Sequence, residues 1–156
     1  MDMTQAMRQP DRDAPEKVMV FAIDGREYGI DIMSVREIRS WVTITPLPRT
    51  PDYISGVINI RGTVLPIINL AARLAPGVEH ATVRDVIVVL EIGDRIAGIL
   101  VDQVSDIVEI KAGDIQDLPS ATTDSVREFV FGLLTHDGRV VCLLRSGELL
   151  PEPAAA

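Results

Sequence analysis

Four pairs of short apolar segments, each pair joined by a two-residue turn, form the main pattern along the chain. The segments are rich in Val, Ile and Leu, and short runs of this kind between turn residues are typical of β-strands. The turns fall at Asp24-Gly25, Arg61-Gly62, Gly93-Asp94 and Asp137-Gly138. Glycine paired with aspartate readily supplies the positive φ that two-residue hairpin turns require, and Arg61-Gly62 is assigned by the same logic. We therefore predict four β-hairpins in an all-β chain.

Several predicted strands are apolar at every position, and VIVVL at 86–90 is the clearest case. A strand without a polar face lies between layers or inside a closed barrel. The strands are too numerous for one small barrel, so we expect two small barrels packed side by side around a shared core. We place the first barrel at about 17–75 and the second at about 82–150, divided near Pro76-Gly77. Whether a strand crosses between the barrels stays open.

Two internal segments have helical features. Asn69 can cap the run LAARL, whose residues are good helix formers. Ile32, Val35 and Ile38 recur every three positions in IDIMSVREI, which suits one face of a short helix or a 3₁₀ turn. We therefore predict one or two short helices beside the strands.

Both ends of the chain are poor in apolar runs. Residues 1–16 and 151–156 contain proline and little that could be buried, so we expect two disordered tails, with GELL at 147–150 a further candidate for a helical turn. The first tail lacks the apolar run of a signal peptide, and no segment approaches the roughly 18 apolar residues that cross a bilayer. A lone cysteine provides no disulfide framework. We expect a cytoplasmic protein.

The charge of the chain is acidic and unevenly spread. Its 15 basic and 23 acidic residues give a net charge of −8, which argues against nucleic acid and anionic lipid as partners. Residues 36–73 carry +3, so the remainder carries −11, and a positive region on an acidic protein suggests an oriented contact surface. Chance placement of surface arginines is the alternative. The charged residues of this region are Arg36, Glu37, Arg39, Arg49, Asp52, Arg61 and Arg73.

The chain contains no recognisable catalytic motif. His80 and His136 lie in separate predicted loops without metal-ligand spacing, and Cys142 lies in an apolar run, so we interpret them as surface histidines and a buried, inert thiol. Five acidic residues that cluster along the chain are interpreted as a solvated edge. An enzyme that uses them as paired carboxylates, and a sensor that holds a small molecule in an aliphatic groove, stay open as alternatives. These acids are Asp102, Asp106, Glu109, Asp114 and Asp117.

Four runs carry a family pattern: YGIDIMSVREI, TPLPRTPDYISGVINIRGTVLPIINLAARL, GILVDQVSDI and GLLTHDGRVVCLLRSGELL. Together they resemble the CheW-like domain family of chemotaxis coupling proteins, over roughly residues 17–150. The resemblance implies two intertwined, five-stranded SH3-like barrels with one or two short helices. It also implies a protein that is not an enzyme and has no cofactor and no bound metal. The lack of a kinase or receiver segment favours a freestanding adaptor.

The resemblance further implies two protein partners. One is the helical cytoplasmic tip of a methyl-accepting chemotaxis receptor, and the other is the regulatory domain of a CheA-type histidine kinase. The adaptor would be recruited to receptor arrays at the membrane without inserting into it, and repeated contacts could build rings or lattices. An adaptor of another chemosensory-type pathway, such as pilus motility or second-messenger output, is the alternative within the family.

The family's receptor site is a groove between the two barrels, and an apolar groove is a known way to accept an amphipathic helix. Six positions here match it, although without the resemblance we would interpret all six as core. They are Ile32, Val35 and Ile38 on one wall, Val104 and Ile107 on the other, and Met19 on the floor.

We assign Arg61, at a predicted hairpin tip, to the rim of this groove. Its planar guanidinium can bind the carboxylate of Glu37 in two-pronged fashion, or reach the receptor directly. The alternative is a solvated turn arginine, because exposed ion pairs contribute only about 0–1 kcal/mol.

The family's kinase site lies on loops of the first barrel, where prolines lower the ordering cost of binding. The alternative is a rigid surface crossover in which Tyr53 plugs a barrel end. The matching residues are Thr45, Pro46, Leu47, Pro48, Asp52, Tyr53 and Ile54. Gly56, Gly62 and Gly98 are assigned to backbone geometry, since glycine permits positive φ and close approach.

Overall fold

The computed structural model describes residues 15–40, 42–74, 86–111 and 113–151. Over these residues the chain forms ten β-strands, one 3₁₀ turn and three short helices. No helix of the described part is long and apolar enough to cross a membrane. The expected disordered tails, apart from residues 15, 16 and 151, lie outside the described residues, as do Pro76-Gly77 and His80.

All four predicted hairpins are confirmed. They are β1 (Lys17–Ile23) with β2 (Arg26–Asp31), β4 (Ile54–Ile60) with β5 (Thr63–Asn69), β6 (Val86–Ile92) with β7 (Arg95–Val101), and β9 (Val130–His136) with β10 (Arg139–Leu144). Two strands outside these hairpins are β3 (Val35–Ser40) and β8 (Gln103–Glu109), and each lies at the edge of a sheet.

The ten strands form two five-stranded sheets. The middle sheet has the order β3-β6-β7-β5-β4, and the terminal sheet, which takes strands from both ends of the chain, has the order β8-β1-β2-β10-β9. The pairs β2–β10 and β5–β7 are parallel. The expected division into 17–75 and 82–150 therefore does not describe the sheets, because β1 and β2 pair with β8 and β10. The strand crossover that the sequence left open is present.

The arrangement of the cores explains why some strands are apolar at every position. On β6, Ile87 and Val89 lie in the core of the middle sheet, whereas Val88 and Leu90 lie in a core shared by the two sheets. Successive side chains of a strand point to opposite faces, so a strand between two cores has no polar face. β1 divides its side chains in the same way between the shared core and the core of the terminal sheet.

The shared core has two differently built ends. At the helix-capped end lie α1 (Leu70–Leu74), α2 (Asp124–Phe129) and α3 (Ser146–Leu149), which bury apolar side chains in the shared core. At the open end lie the edge strands β3 and β8, together with the 3₁₀ turn Ile32–Ser34 that contacts β1 and β6.

The helix predictions have mixed outcomes. Asn69 caps α1, since its Oδ1 accepts a hydrogen bond from the amide of Ala72 at 3.3 Å. α3 confirms the helical turn near GELL, whereas α2 was not predicted. The prediction of a helix across IDIMSVREI is wrong beyond Ser34, because Val35–Ser40 pairs with β6 as a strand.

Candidate functional site

A β-bulge explains the period of three in the first wall of the expected groove. Val35 pairs with Leu90 and Ile38 pairs with Val88, and both partners belong to the shared core. The register shifts between Val35 and Glu37, so the strand has one extra residue between the two pairs. Cross-strand partners lie on the same face of a sheet, so Val35 and Ile38 both face the shared core although they are three positions apart, which in a regular strand would place them on opposite faces.

A β-bulge also explains the spacing of the second wall. Met19 pairs with Ile107 and Phe21 pairs with Val104, with a register shift between Val20 and Phe21. The extra residue is Ser105, whose hydroxyl donates a hydrogen bond to the carbonyl of Val20 at 3.2 Å. Val104 and Ile107 therefore both face the shared core. A bulge on each edge strand thus produces the spacing that sequence analysis interpreted as helical on β3.

The six groove residues differ sharply in exposure. Met19 is only 1% exposed, and the side chains of three others, Ile32, Val35 and Val104, are partly buried against the shared core. Ile38 is 50% exposed and Ile107 is 61% exposed. The chain's own side chains bury Met19 at the floor, and the groove residues that face solvent, Ile38 and Ile107, lie on the edge strands of two different sheets.

Met33, in the 3₁₀ turn directly before β3, is a further exposed apolar residue that sequence analysis missed. It is 85% exposed in the 3₁₀ turn, and its amide donates to the carboxylate of Asp31 at 2.9 Å, which fixes the start of the turn. Met33 falls outside the period of three, so the pattern gave no signal for it. We call the exposed set Met33, Ile38 and Ile107 the apolar strip.

The predicted ion pair of Arg61 with Glu37 is present. Arg61 Nη2 lies 2.6 Å from Glu37 Oε2, and Arg39 Nη1 lies 3.0 Å from Glu37 Oε1. Hydrogen bonds from Arg61 first and Arg39 second lower the pKa of Glu37 below its usual value. Since Glu37 pairs with Val89, a residue of the middle-sheet core, the ion pair lies on the face of β3 away from Ile38. The ion pair that the sequence analysis assigned to the groove rim thus lies on the opposite face of β3 from Ile38, where it links β3 to the β4–β5 turn.

The backbone conformation of the β4–β5 turn, which contains Arg61, is set by local contacts. Arg61 and Gly62 have φ values of 51° and 87°, and positive φ at both central residues is the pattern of a type I′ hairpin. The Oδ1 of Asn59 accepts a hydrogen bond from the amide of Gly62 at 2.9 Å. The turn is thus held by Asn59 and Gly62, which leaves the guanidinium of Arg61 available for Glu37.

The loop expected to bind a kinase, residues 45–54, is anchored near its first residue. Thr45 and Val57 exchange two backbone hydrogen bonds of 2.9 Å. A Cβ at Gly56, whose φ is 150°, would lie 2.4 Å from the carbonyl oxygen of Thr45, so this close approach requires glycine. Gly98 has a packing role instead, since a Cβ there would lie 2.7 Å from Ile67 Cδ1.

The middle of this loop is exposed, whereas its end is packed. Leu47 is 45% exposed between two exposed prolines, Pro46 and Pro48, and Asp52 is also exposed. Tyr53 and Ile54 pack against the shared core. The seven expected residues thus divide into an exposed group and an anchored group.

Arg73 holds the packed end of this loop and was not assigned a role from sequence. Its guanidinium carbon lies 4.0 Å from the ring centroid of Tyr53 and 5.3 Å from that of Phe129. Its Nη2 donates to the carbonyl of Glu148 at 3.2 Å. Arg73 therefore connects the loop to all three helices of the helix-capped end.

Of the residues considered for chemistry, the fold brings His136 and Asp106 together. Burial raises the pKa of the Cys142 thiol, which disfavours the reactive thiolate. His136 Nε2 lies 3.4 Å from Asp106 Oδ2 and 3.5 Å from Asp137 Oδ2, in a cluster at the surface of the terminal sheet where the imidazole is partly buried and the two carboxylates are exposed. Of the other acids, Glu109, Asp114 and Asp117 are exposed.

Comparisons with known proteins agree with this architecture. A family model described as CheW-like domain matches residues 17–154. The chain is 42% identical to the chemotaxis protein CheW of Rhizobium meliloti (strain 1021) over 135 residues, which is 86% of this chain and 87% of that protein. It is 30% identical to Protein FrzA of Myxococcus xanthus over 137 residues, covering 86% and 85% of the two chains.

A solved structure shows the same fold. The crystal structure of scaffolding protein TtCheW from Thermoanaerobacter tengcongensis matches with a TM-score of 0.73 at 32% identity, over 85% of this chain and 90% of that one. The likeness confirms the predicted all-β fold of two five-stranded SH3-like barrels. The family model, the relatives and the solved structure together show that the chain belongs to the CheW-like domain family of chemotaxis scaffold proteins.

Proposed function

We propose that the protein is a non-catalytic adaptor that couples methyl-accepting chemotaxis receptors to a CheA-type histidine kinase in arrays at the membrane. The observation that carries this proposal is the presence of two separate exposed surfaces on one body. The apolar strip lies along β3 and β8, and the exposed part of loop 45–54 precedes β4, at the opposite edge of the middle sheet from β3. An adaptor must hold two partners at once, so its surfaces have to be separate.

The apolar strip is the surface that suits a receptor helix. Ile38 and Ile107 project from the edges of two different sheets, with the shared core between them. An amphipathic helix lying between these edges would bury both side chains along one apolar face. Burial of apolar surface contributes about 25 cal/mol per Å², so a few anchors of this size give a modest, reversible contact.

The exposed part of loop 45–54 is the surface that suits the kinase regulatory domain. Pro46 and Pro48 restrict the backbone on both sides of Leu47, which leaves little conformational entropy to lose on binding. A leucine that is 45% exposed offers an apolar anchor at the tip of this stiff loop.

Scaffolding follows from binding both partners at the same time. Each modest interface raises the effective concentration of the kinase at the receptor, so overall affinity exceeds that of either contact alone. Signalling would then follow from receptor states that change how these contacts are populated. Repetition of the two contacts would build rings or lattices.

Two matched substitutions test the proposal. Ile38→Asp should weaken receptor binding at least about tenfold and leave kinase binding unchanged, and Leu47→Asp should do the reverse. Isothermal titration with the receptor tip and with the kinase regulatory domain measures both. Val64→Asp is the control, because Val64 is a 60% exposed valine of β5 outside both surfaces. Equal binding of both partners by all three variants would contradict the proposal.

An adaptor of another chemosensory-type pathway is the second candidate. It is favoured by the 30% identity to Protein FrzA, a relative that does not carry the name CheW. Copurification of the full-length chain with its native receptor and kinase, followed by their identification, separates the two candidates.

A further inference from the structure

The kinase-binding loop of the proposed function has two anchors of different kinds. The first is backbone pairing between Thr45 and Val57, which belongs to the middle sheet. The second is Tyr53, whose carbonyl accepts a hydrogen bond from the amide of Asn69 at 2.7 Å. Between these anchors, Pro46–Pro48 and Asp52 are exposed. The orientation of the exposed part therefore depends on how firmly Tyr53 is held.

Arg73 is the side chain that holds the Tyr53 ring. One turn after the cap residue Asn69, its guanidinium lies over the ring at 4.0 Å, well inside the roughly 6 Å range of cation–π attraction. Phe129 of α2 lies 5.3 Å from the same guanidinium. The cation thus lies between two aromatic rings, one from the loop and one from the helix-capped end.

The hydrogen bonds of Arg73 are consistent with a guanidinium that packs against the faces of two aromatic rings. Its Nη2 reaches the carbonyl of Glu148 in α3 at 3.2 Å, and its Nε is buried without a hydrogen-bond partner among the described residues. A buried N–H that lacks an acceptor destabilises the folded state, unless another favourable contact offsets that cost. The electron-rich faces of Tyr53 and Phe129 provide such a contact.

We propose that Arg73 is a positioning residue for the partner-binding loop. It fixes Tyr53 against the helix-capped end, so that the exposed residues of the loop, 46–49 and 51–52, are presented to the kinase in one orientation. This inference rests on the proposed function of the loop. Without Arg73, the Tyr53 ring loses its cationic partner, the loop samples more conformations, and binding must then restrict them at a cost in affinity.

The test measures kinase binding by Arg73 variants of the full chain. We expect Arg73→Ala to weaken affinity for the kinase regulatory domain about tenfold, the loss that corresponds to a cation–π contact of medium strength. Arg73→Lys keeps the charge without the planar group and should lose about threefold. Affinity for the receptor tip should stay unchanged in both variants, because the apolar strip lies at the other end of the shared core.

Arg145→Ala is the matched control. Arg145 also donates to a carbonyl of the helix-capped end, that of Arg127 at 3.2 Å, whereas the guanidinium that lies over the Tyr53 ring is that of Arg73. This variant should bind the kinase as the parent protein does. The rate of amide hydrogen exchange at residues 45–54 should increase in the Arg73 variants and stay unchanged in Arg145→Ala. If this rate does not increase in the Arg73 variants, the positioning role is wrong.

Leu47→Asp separates failure of this inference from failure of the proposed function. If Leu47→Asp abolishes kinase binding while Arg73→Ala binds normally, the loop is the kinase site and Arg73 does not position it. If neither variant alters kinase binding, the assignment of the loop is itself wrong. Should Arg73→Ala fail to fold cooperatively, Arg73→Lys decides, and parent-like kinase affinity in that variant would overturn the inference.

Discussion

The two ends of the shared core contain similar aliphatic side chains, but one end buries them and the other leaves them exposed. At the helix-capped end, Leu70 of α1 and Leu149 of α3 are 0% exposed. At the open end, Ile38 and Ile107 lie on the faces of β3 and β8 that face the shared core, yet they are 50% and 61% exposed. A folded monomer gains stability from burying such residues, so large apolar side chains left exposed beside the shared core are candidates for a partner surface.

The means of covering the core also differ between the ends. The helix-capped end is closed by short helices that Arg73 fastens through aromatic rings and a carbonyl. The open end consists of two edge strands, each with a β-bulge and each carrying charged residues. Bulges and charges are the usual protection of edge strands against uncontrolled pairing, so β3 and β8 can expose apolar side chains while resisting aggregation.

The largest effect expected from this comparison is a difference in stability between the two ends. Leu149→Ala removes a fully buried side chain and should lower the free energy of unfolding by about 2–5 kcal/mol. Ile107→Ala should change it by no more than about 0.5 kcal/mol, because most of that side chain already faces solvent. Urea denaturation followed by circular dichroism measures both. Equal losses would show that Ile107 is part of the core and not of a binding surface.

The sequence was sufficient for the hairpins and insufficient for the pairing between distant segments. Turns such as Asp24-Gly25 specify a local hairpin through their φ preferences, and strands such as VIVVL reveal burial on both faces through composition. Nothing local indicates that β2 pairs with β10, which lies more than a hundred residues away. The strand crossover that the sequence analysis left open therefore depends on long-range pairing, which no local pattern reveals.

The candidate site shows the same limit. The apolar character and period of Val35 and Ile38 were visible in the sequence, but a bulge gives a strand the spacing of a helix, so the element type was mistaken. The pairing of Arg61 with Glu37 was one of the alternatives that the sequence analysis stated, and it is present. The contact of Arg73 with Phe129 joins segments from different parts of the chain, and no local pattern could predict it.

A smaller effect is expected where the loop meets the middle sheet. Gly56→Ala would place a Cβ against the carbonyl of Thr45 at a positive φ, and should cost about 1–3 kcal/mol of stability. Gly147→Ala in α3 is the control, since a Cβ there meets nothing within 4 Å and should be neutral or slightly stabilising. Thermal unfolding of the two variants measures the difference. If Gly56→Ala unfolds as the parent protein does, the loop can yield, and its anchoring at Thr45 is weaker than the geometry indicates.

The smallest expected effect distinguishes how the two ends are braced. At the open end the brace is ionic: Arg61 and Arg39 lower the pKa of Glu37 below the value of 4.5 that the unfolded chain would show. A carboxylate with a lowered pKa contributes stability that is present above pH 4.5 and lost as the pH falls through its folded value. Arg61→Ala removes the larger cause, so its deficit against the parent protein should shrink as the pH drops below 4.5. Arg39→Ala should show a weaker form of the same trend.

At the helix-capped end the contacts of Arg73 involve rings and a carbonyl, so the loss of stability in Arg73→Ala should stay constant over the same pH range. Urea unfolding midpoints, measured from neutral pH downward for the three variants, test this contrast. An Arg61→Ala deficit that does not change with pH would show that the ion pair does not brace the open end.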